Sequence, residues 1–99
     1  MLKYVRIIKE NPYKLGFIDE KSPKELEPLI NEKLSQYKNP VHVDSEVKMN
    51  NIVIILELNP PKGESYNYEY IRHEKEQFQK YYRRIIEDID NSEFYDLYL

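Results

Sequence analysis

The chain has 99 residues, of which 40% are hydrophobic and 33% charged. That is enough for one domain with one core, because domains cluster near ~100–150 residues. Fifteen basic against eighteen acidic residues leave a net charge of −3, too balanced for a histone-like DNA binder. Zero cysteines exclude a disulfide framework, a CxxC zinc site and a thiol nucleophile. Two histidines and two glycines leave little for metal clusters or glycine-rich phosphate loops.

The first two elements form a hairpin. Leu2 to Ile8 is rich in β-branched and aromatic residues, which suit a pleated surface. Lys9-Glu10-Asn11-Pro12 interrupts it as a turn of about four residues, since Pro12 cannot donate to a ladder. Tyr13 to Ile18 resumes the pattern, with Tyr13, Leu15 and Phe17 on one face and Lys14, Gly16 and Ile18 on the other.

A helix over residues 23–37 follows. Ser22 as N-cap, Pro23 at the first helical position and Glu25 closing a capping box mark its start. Leu26, Leu29, Ile30, Leu34 and Tyr37 recur at helical spacing. Pro28 is discordant, because an interior proline costs ~3 kcal/mol. Either the helix kinks there or it starts later, with Pro28 in its first turn.

Asn39-Pro40 ends that helix, and residues 41–58 read as a second hairpin. Val41, Val43, Ser45, Val47 and Met49 are expected inward, with His42, Asp44, Glu46 and Lys48 in water, as in a half-buried strand near an edge. Asn50-Asn51 supplies the positive φ angles of the turn. Ile52 to Leu58 is apolar on both faces until Glu57, which predicts the central strand.

The last third is helical. Ile71, Lys75, Phe78, Tyr82, Ile85 and Ile89 alternate steps of four and three. They predict a long helix over about 68–90, supported by Glu76–Lys80, Arg72–Glu76, Arg83–Glu87 and Arg84–Asp88 pairs one turn apart. Asn91-Ser92 then marks a stop, and 93–98 a short helical turn. The fold class is therefore α+β: a four-stranded, mainly antiparallel sheet of two hairpins, with two main helices over one face and the longer one C-terminal.

Motifs that carry chemistry are sparse. His73-Glu74 resembles the opening of an HExxH zinc helix, but the fifth residue is Gln77 and the other histidine, His42, lies in a strand. Glu87, Asp88, Asp90, Glu93 and Asp96 lack the glycine of a calcium loop. Neither motif supports a metal site, no serine, histidine and acid converge as a nucleophilic triad, and no cofactor is expected. Arg72, Lys75, Lys80, Arg83 and Arg84 form the most basic stretch, with tyrosines near enough to stack on bases. Glu69, Glu74 and Glu76 interleave with them, so a charge-laced exposed helix weighs about three to one over a nucleic-acid surface.

Ten tyrosines are the stronger signal. Tyrosine buries large area at low entropy cost and is enriched at interfaces. Tyr66, Tyr68, Tyr70, Tyr95 and Tyr98 cannot all enter one small core, which makes them the candidate protein-interaction residues. A compositional cause weighs equally. The chain has no Ala, Thr, Cys or Trp but eleven Ile, eleven Lys and eight Asn beside the tyrosines, the signature of an A/T-rich genome.

The length, the absence of cysteine and stretches such as NIVIILELNPPKGE and YIRHEKEQFQKYYRRIIEDI resemble small uncharacterised proteins of archaeal filamentous double-stranded DNA viruses, the lipothrixviruses and rudiviruses. That resemblance implies a virally encoded, heat-stable protein of unassigned role and brings no catalytic residues.

The function expected from these readings is a non-enzymatic protein-interaction module with a host or viral protein as partner; a nucleic-acid-binding protein is the alternative. A homodimer through the 71–89 seam is plausible. Met1 to Ile8 is interrupted by Lys3 and Arg6, so no signal peptide is expected, and the longest uncharged apolar run, Ile52 to Leu56, is far short of the ~20 residues of a membrane span. The expected location is the host cytoplasm. If the archaeal-virus resemblance holds, the thermal midpoint lies above ~90 °C; a calorimetric midpoint near ~55 °C would assign the chain to an ordinary A/T-rich phage instead.

Overall fold

Side-chain parity along two apolar strands organises the molecule. The computed structural model describes residues 2–5, 11–37, 42–60 and 67–91. Four strands, β1 (Leu2–Val5), β2 (Lys14–Asp19), β3 (His42–Lys48) and β4 (Asn51–Glu57), form one antiparallel sheet in the order β1-β2-β4-β3. Helix α1 (Glu27–Leu34) follows a short 3-10 turn at Lys24–Leu26, and α2 (Tyr68–Asp90) is the long C-terminal helix. The architecture is α+β, with β2 and β4 interior and β3 at an edge.

The register puts Tyr4, Phe17, Ile54 and Ser45 in one row across the sheet, and Leu15, Leu56 and Val43 in another. These rows face the helices. Phe17, Ile54 and Leu56 are fully buried beneath Ile30, Leu34, Phe78, Tyr82 and Ile89. Phe17 stacks on Phe78 with ring centroids 5.0 Å apart, and Tyr37 meets Phe78 edge-on at 5.4 Å. Burying side chains of this size stabilises by ~1.5–3 kcal/mol each, so this layer sets where both helices lie. The 71–89 seam is consumed here: Ile71, Phe78, Tyr82, Ile85 and Ile89 all face the chain's own core. A dimer through that seam would require the core to open.

The helix expected over 23–37 is shorter and starts later. Leu26 is the N-cap of α1 and Pro28 lies in its first turn, where a missing N–H costs nothing. No side-chain cap forms at Pro23 or Leu26. The expected Ser22–Glu25 capping box is replaced by Asp19, whose Oδ1 accepts from the backbone N–H groups of Lys21 and Ser22 at 3.0 and 2.9 Å. The helix ends at Leu34, with Ser35 as C-cap.

The inward face of β3 is also shorter than its alternation predicts. Val43 is half-buried and Ser45 buried, but Val47 is 42% exposed and Met49 93% exposed. Helix α1 covers only the middle of this edge strand. The Ser45 hydroxyl donates to Glu27 Oε2 at 2.5 Å and lies 3.1 Å from the Asn31 side-chain amide. Beyond that point the side chains expected inward are exposed.

The ion pairs expected one turn apart along α2 are absent among the described residues, where Arg72 pairs instead with Glu69 at 2.6 Å. The other described pairs, Lys3–Glu20 and Glu46–Lys48, are also exposed. Packing holds α2, since such pairs contribute under ~1 kcal/mol. The expected helical turn over 93–98 lies outside the described residues.

The turn between β3 and β4 is one residue earlier than the two asparagines suggest. Lys48 pairs with Asn51, so Met49 and Asn50 form the two-residue loop, with φ of 51° and 67°. Left-handed backbone costs an ordinary L-residue roughly 1–2 kcal/mol, and a two-residue hairpin with both φ positive favours Asn-Gly. Replacing the pair with Asn-Gly (Met49→Asn with Asn50→Gly) should stabilise by about 1 kcal/mol and raise the thermal midpoint by ~4–8 °C in calorimetry. An unchanged midpoint would mean that Met49 carries no strain.

Candidate functional site

A cleft opens where the end of β2 meets the C-terminal half of α2. Asp19 continues the inward parity of Tyr13, Leu15 and Phe17, so the strand carries a carboxylate into the helix-covered face. Tyr82 reaches it from the seam of α2, and its hydroxyl donates to Asp19 Oδ2 at 2.5 Å. Both residues are almost fully buried, Asp19 at 2% exposure. Above them a cavity of ≈ 680 Å³ is lined by Leu2, Leu26, Ile86 and Ile89, with Lys21, Arg83, Glu87 and Asp90 among its charged residues. That volume is within the range of ordinary ligand sites.

The electrostatics of the base are set by neutral donors. Burial pushes the Asp19 carboxyl up, but hydrogen bonds from the Tyr82 hydroxyl, from Ser22 (side chain and backbone) and from the Lys21 backbone outweigh it and hold the group below 3.8. Asp19 is therefore ionised at neutral pH with no cation bonded to it among the described residues. Burial and the adjacent carboxylate push the Tyr82 phenol far up, so it stays protonated and remains a donor.

The expected interaction tyrosines do not converge on this cleft. Tyr68 is 63% exposed at the start of α2. Tyr70 is half-buried and packs on Tyr13 at 6.2 Å. Tyr66, Tyr95 and Tyr98 lie outside the described residues. Other tyrosines are structural: Tyr81 stacks on Tyr37 at 4.6 Å and donates to the Lys33 carbonyl, and the Tyr13 hydroxyl accepts from the Asn67 backbone N–H.

The five basic candidates do not form one patch. Lys75 lies over the Tyr4 ring at 4.3 Å, and Arg72 is taken by Glu69. Lys80, Arg83 and Arg84 are exposed, but Glu76 and Glu87 share the outward face of the helix with them at helical spacing. Arg83 alone of the five lines the cleft. His42 and His73 are exposed on separate elements. Among the described residues, no group of three or more His, Asp or Glu side chains is placed to hold a metal ion.

Compared with protein-family models, curated proteins and solved structures, the chain matches none. No described helix is long and apolar enough to cross a membrane.

Sequence reading passed over Asp19, Tyr82, Leu26 and Ile86 as site residues. One signal was present: Asp19 shares the parity of three buried residues and stands before Ser22-Pro23, as a side chain that closes a turn does. Tyr82 offered none, because a tyrosine in an apolar seam reads as core.

Tyr82→Phe should cost about 1.5–3 kcal/mol at neutral pH, since it strips a hydrogen bond from a buried charge. The wild-type stabilisation from Asp19 is complete above the unfolded value near 3.8 and is lost as pH falls through the lower folded value. Without Tyr82 the burial penalty meets less opposition, so the difference between wild type and variant should shrink as urea melts are taken from pH 7 to pH 3. A difference constant across that range would show that Asp19 does not depend on Tyr82.

Proposed function

We propose that the protein is a non-enzymatic, heat-stable protein-interaction module, virally encoded and acting in the host cytoplasm, and that its cleft receives a short segment of a partner protein. One observation carries the choice of site. The cleft combines apolar walls (Leu2, Leu26, Ile86, Ile89) with charges of both signs, above a buried carboxylate already held by Tyr82, Ser22 and Lys21. Apolar surface supplies affinity, while ringed charges set orientation and exclude wrong partners.

The chemistry of the segment follows from the charges. Asp19, Glu87 and Asp90 against Lys21 and Arg83 leave the cleft one negative charge in excess. An apolar side chain next to a lysine or arginine satisfies both features: the apolar group lies against Ile86 and Ile89, and the cation points to Glu87 and Asp90. The polar groups at the base are engaged with one another, which suits a rigid floor better than proton transfer.

Selection of random displayed peptides on the immobilised full chain tests this reading. Enriched sequences should pair an apolar residue with Lys or Arg. Their affinity should fall by about tenfold or more, ~1.4 kcal/mol, in Asp90→Lys; this position is exposed, so the variant should fold. Selection of peptides indifferent to Asp90→Lys and to Ile86→Asp would place binding elsewhere. Enrichment of nothing would remove the cleft as a docking site.

A further inference from the structure

The cleft holds two charges that a docked segment of apolar and cationic groups leaves unmatched. Glu87 and Asp90 face the cation of such a segment, and Asp19 is satisfied from within by the Tyr82 hydroxyl and the backbone N–H groups of Lys21 and Ser22. The side chains of Lys21 and Arg83 remain. Both residues are exposed and line the cavity, Lys21 from the lead-in to α1 and Arg83 from α2. Neither belongs to an ion pair among the described residues. An occupant without an anion would strip water from both cations and give them no counter-charge, which costs affinity. The cleft therefore suits an occupant that carries an anion as well as a cation.

Resting on the docking of a partner segment in this cleft, we propose that the segment is the C-terminal end of the partner chain. Its free carboxylate lies between Lys21 and Arg83, its last side chain is apolar and packs against Leu26 and Ile86, and a lysine or arginine just before it points to Glu87 and Asp90. Helix geometry supports the spacing. At a rise of 1.5 Å per residue, Glu87 lies about 6 Å and Asp90 about 10.5 Å along the axis from Arg83, and residues three, four and seven apart share one face. Consecutive Cα atoms lie ~3.8 Å apart, and a long basic side chain extends that reach. The two charges at the end of one chain therefore span the same interval.

Two features select a chain end over an internal aspartate or glutamate. The walls come from three separate elements, with Leu2 on β1, Leu26 on the 3-10 turn and Ile86 on α2, around one floor of Asp19 and Tyr82. A segment running through must enter and leave between these walls, whereas a chain end needs a single opening. A terminal carboxylate is also fixed by the backbone that carries it, whereas an aspartate or glutamate side chain loses rotamer freedom when held. Arg83 suits the group in either case, because a guanidinium is a planar fork that donates two parallel hydrogen bonds to one carboxylate.

Fluorescence anisotropy of the full chain with three N-terminally labelled probes tests the proposal. The probes are Gly-Ser-Gly-Arg-Ile with a free carboxylate, the same peptide amidated, and an amidated Gly-Ser-Gly-Arg-Ile-Glu. The free acid should bind about tenfold or more tighter than the amide. In the double variant Lys21→Gln with Arg83→Gln, its affinity should fall to that of the amide, with an unchanged thermal midpoint showing that the variant folds; both positions are exposed. A free acid no tighter than the amide, with both weakened by Asp90→Lys, overturns the chain-end proposal and leaves segment docking in place. A glutamate-bearing amide as tight as the free acid overturns it in favour of a side-chain carboxylate. A free-acid preference that survives loss of both cations overturns it as well. Binding of none of the three probes up to ~1 mM overturns the proposal and the docking of a segment together.

Discussion

A buried carboxylate that must be satisfied holds the layers of this protein in place. Asp19 ends β2 on the core side, where an unpaired charge would cost several kcal/mol. The Lys21 and Ser22 N–H groups turn the chain out of the sheet toward α1, and the Tyr82 hydroxyl reaches down from α2. One side chain thereby ties together the end of a central strand, the lead-in to one helix and the C-terminal half of the other. Around it the aromatic contacts of Phe17, Phe78, Tyr37 and Tyr81 join a mostly aliphatic core. The carboxylate adds direction, because a hydrogen bond fixes a register that apolar contacts alone leave loose.

The same geometry divides the surface into two kinds of ground. On the helix side, the long α2 and the short α1 cover the sheet unequally, and the cleft lies where the 3-10 turn meets the C-terminal half of α2. On the far side, parity places Ile18, Val53 and Ile55, of which Val53 is buried and the other two half-buried. The described helices pack on a single face of the four-stranded sheet, and the cleft opens on that side.

Fold class was legible because the strong periodicities lie in long stretches. The seam from Ile71 to Ile89 and the alternation from Tyr13 to Phe17 each bury one face, and no competing period fits them. Local chemistry was less legible. Ser22-Pro23 has the form of a helix start, yet Asp19, one turn earlier, takes the donors and delays α1 until Pro28 fits its first turn. Asn50-Asn51 has the form of a tight turn, yet the pairing of Lys48 with Asn51 forces Met49 into the left-handed region. In the first place one local hydrogen-bond pattern displaced another; in the second, strand pairing outweighed a local preference of about 1 kcal/mol.

By itself the sequence determined the element types, the inward face of β2 and the apolar seam of α2, because these depend on the period of apolar residues along one segment. Tertiary structure alone decided the strand order β1-β2-β4-β3, the meeting of Asp19 with Tyr82 across 63 residues, and the cross-strand rows of the sheet. Those depend on which distant segments share a ladder. No local pattern encodes that choice; it is set by how the whole set of apolar faces can be buried at once.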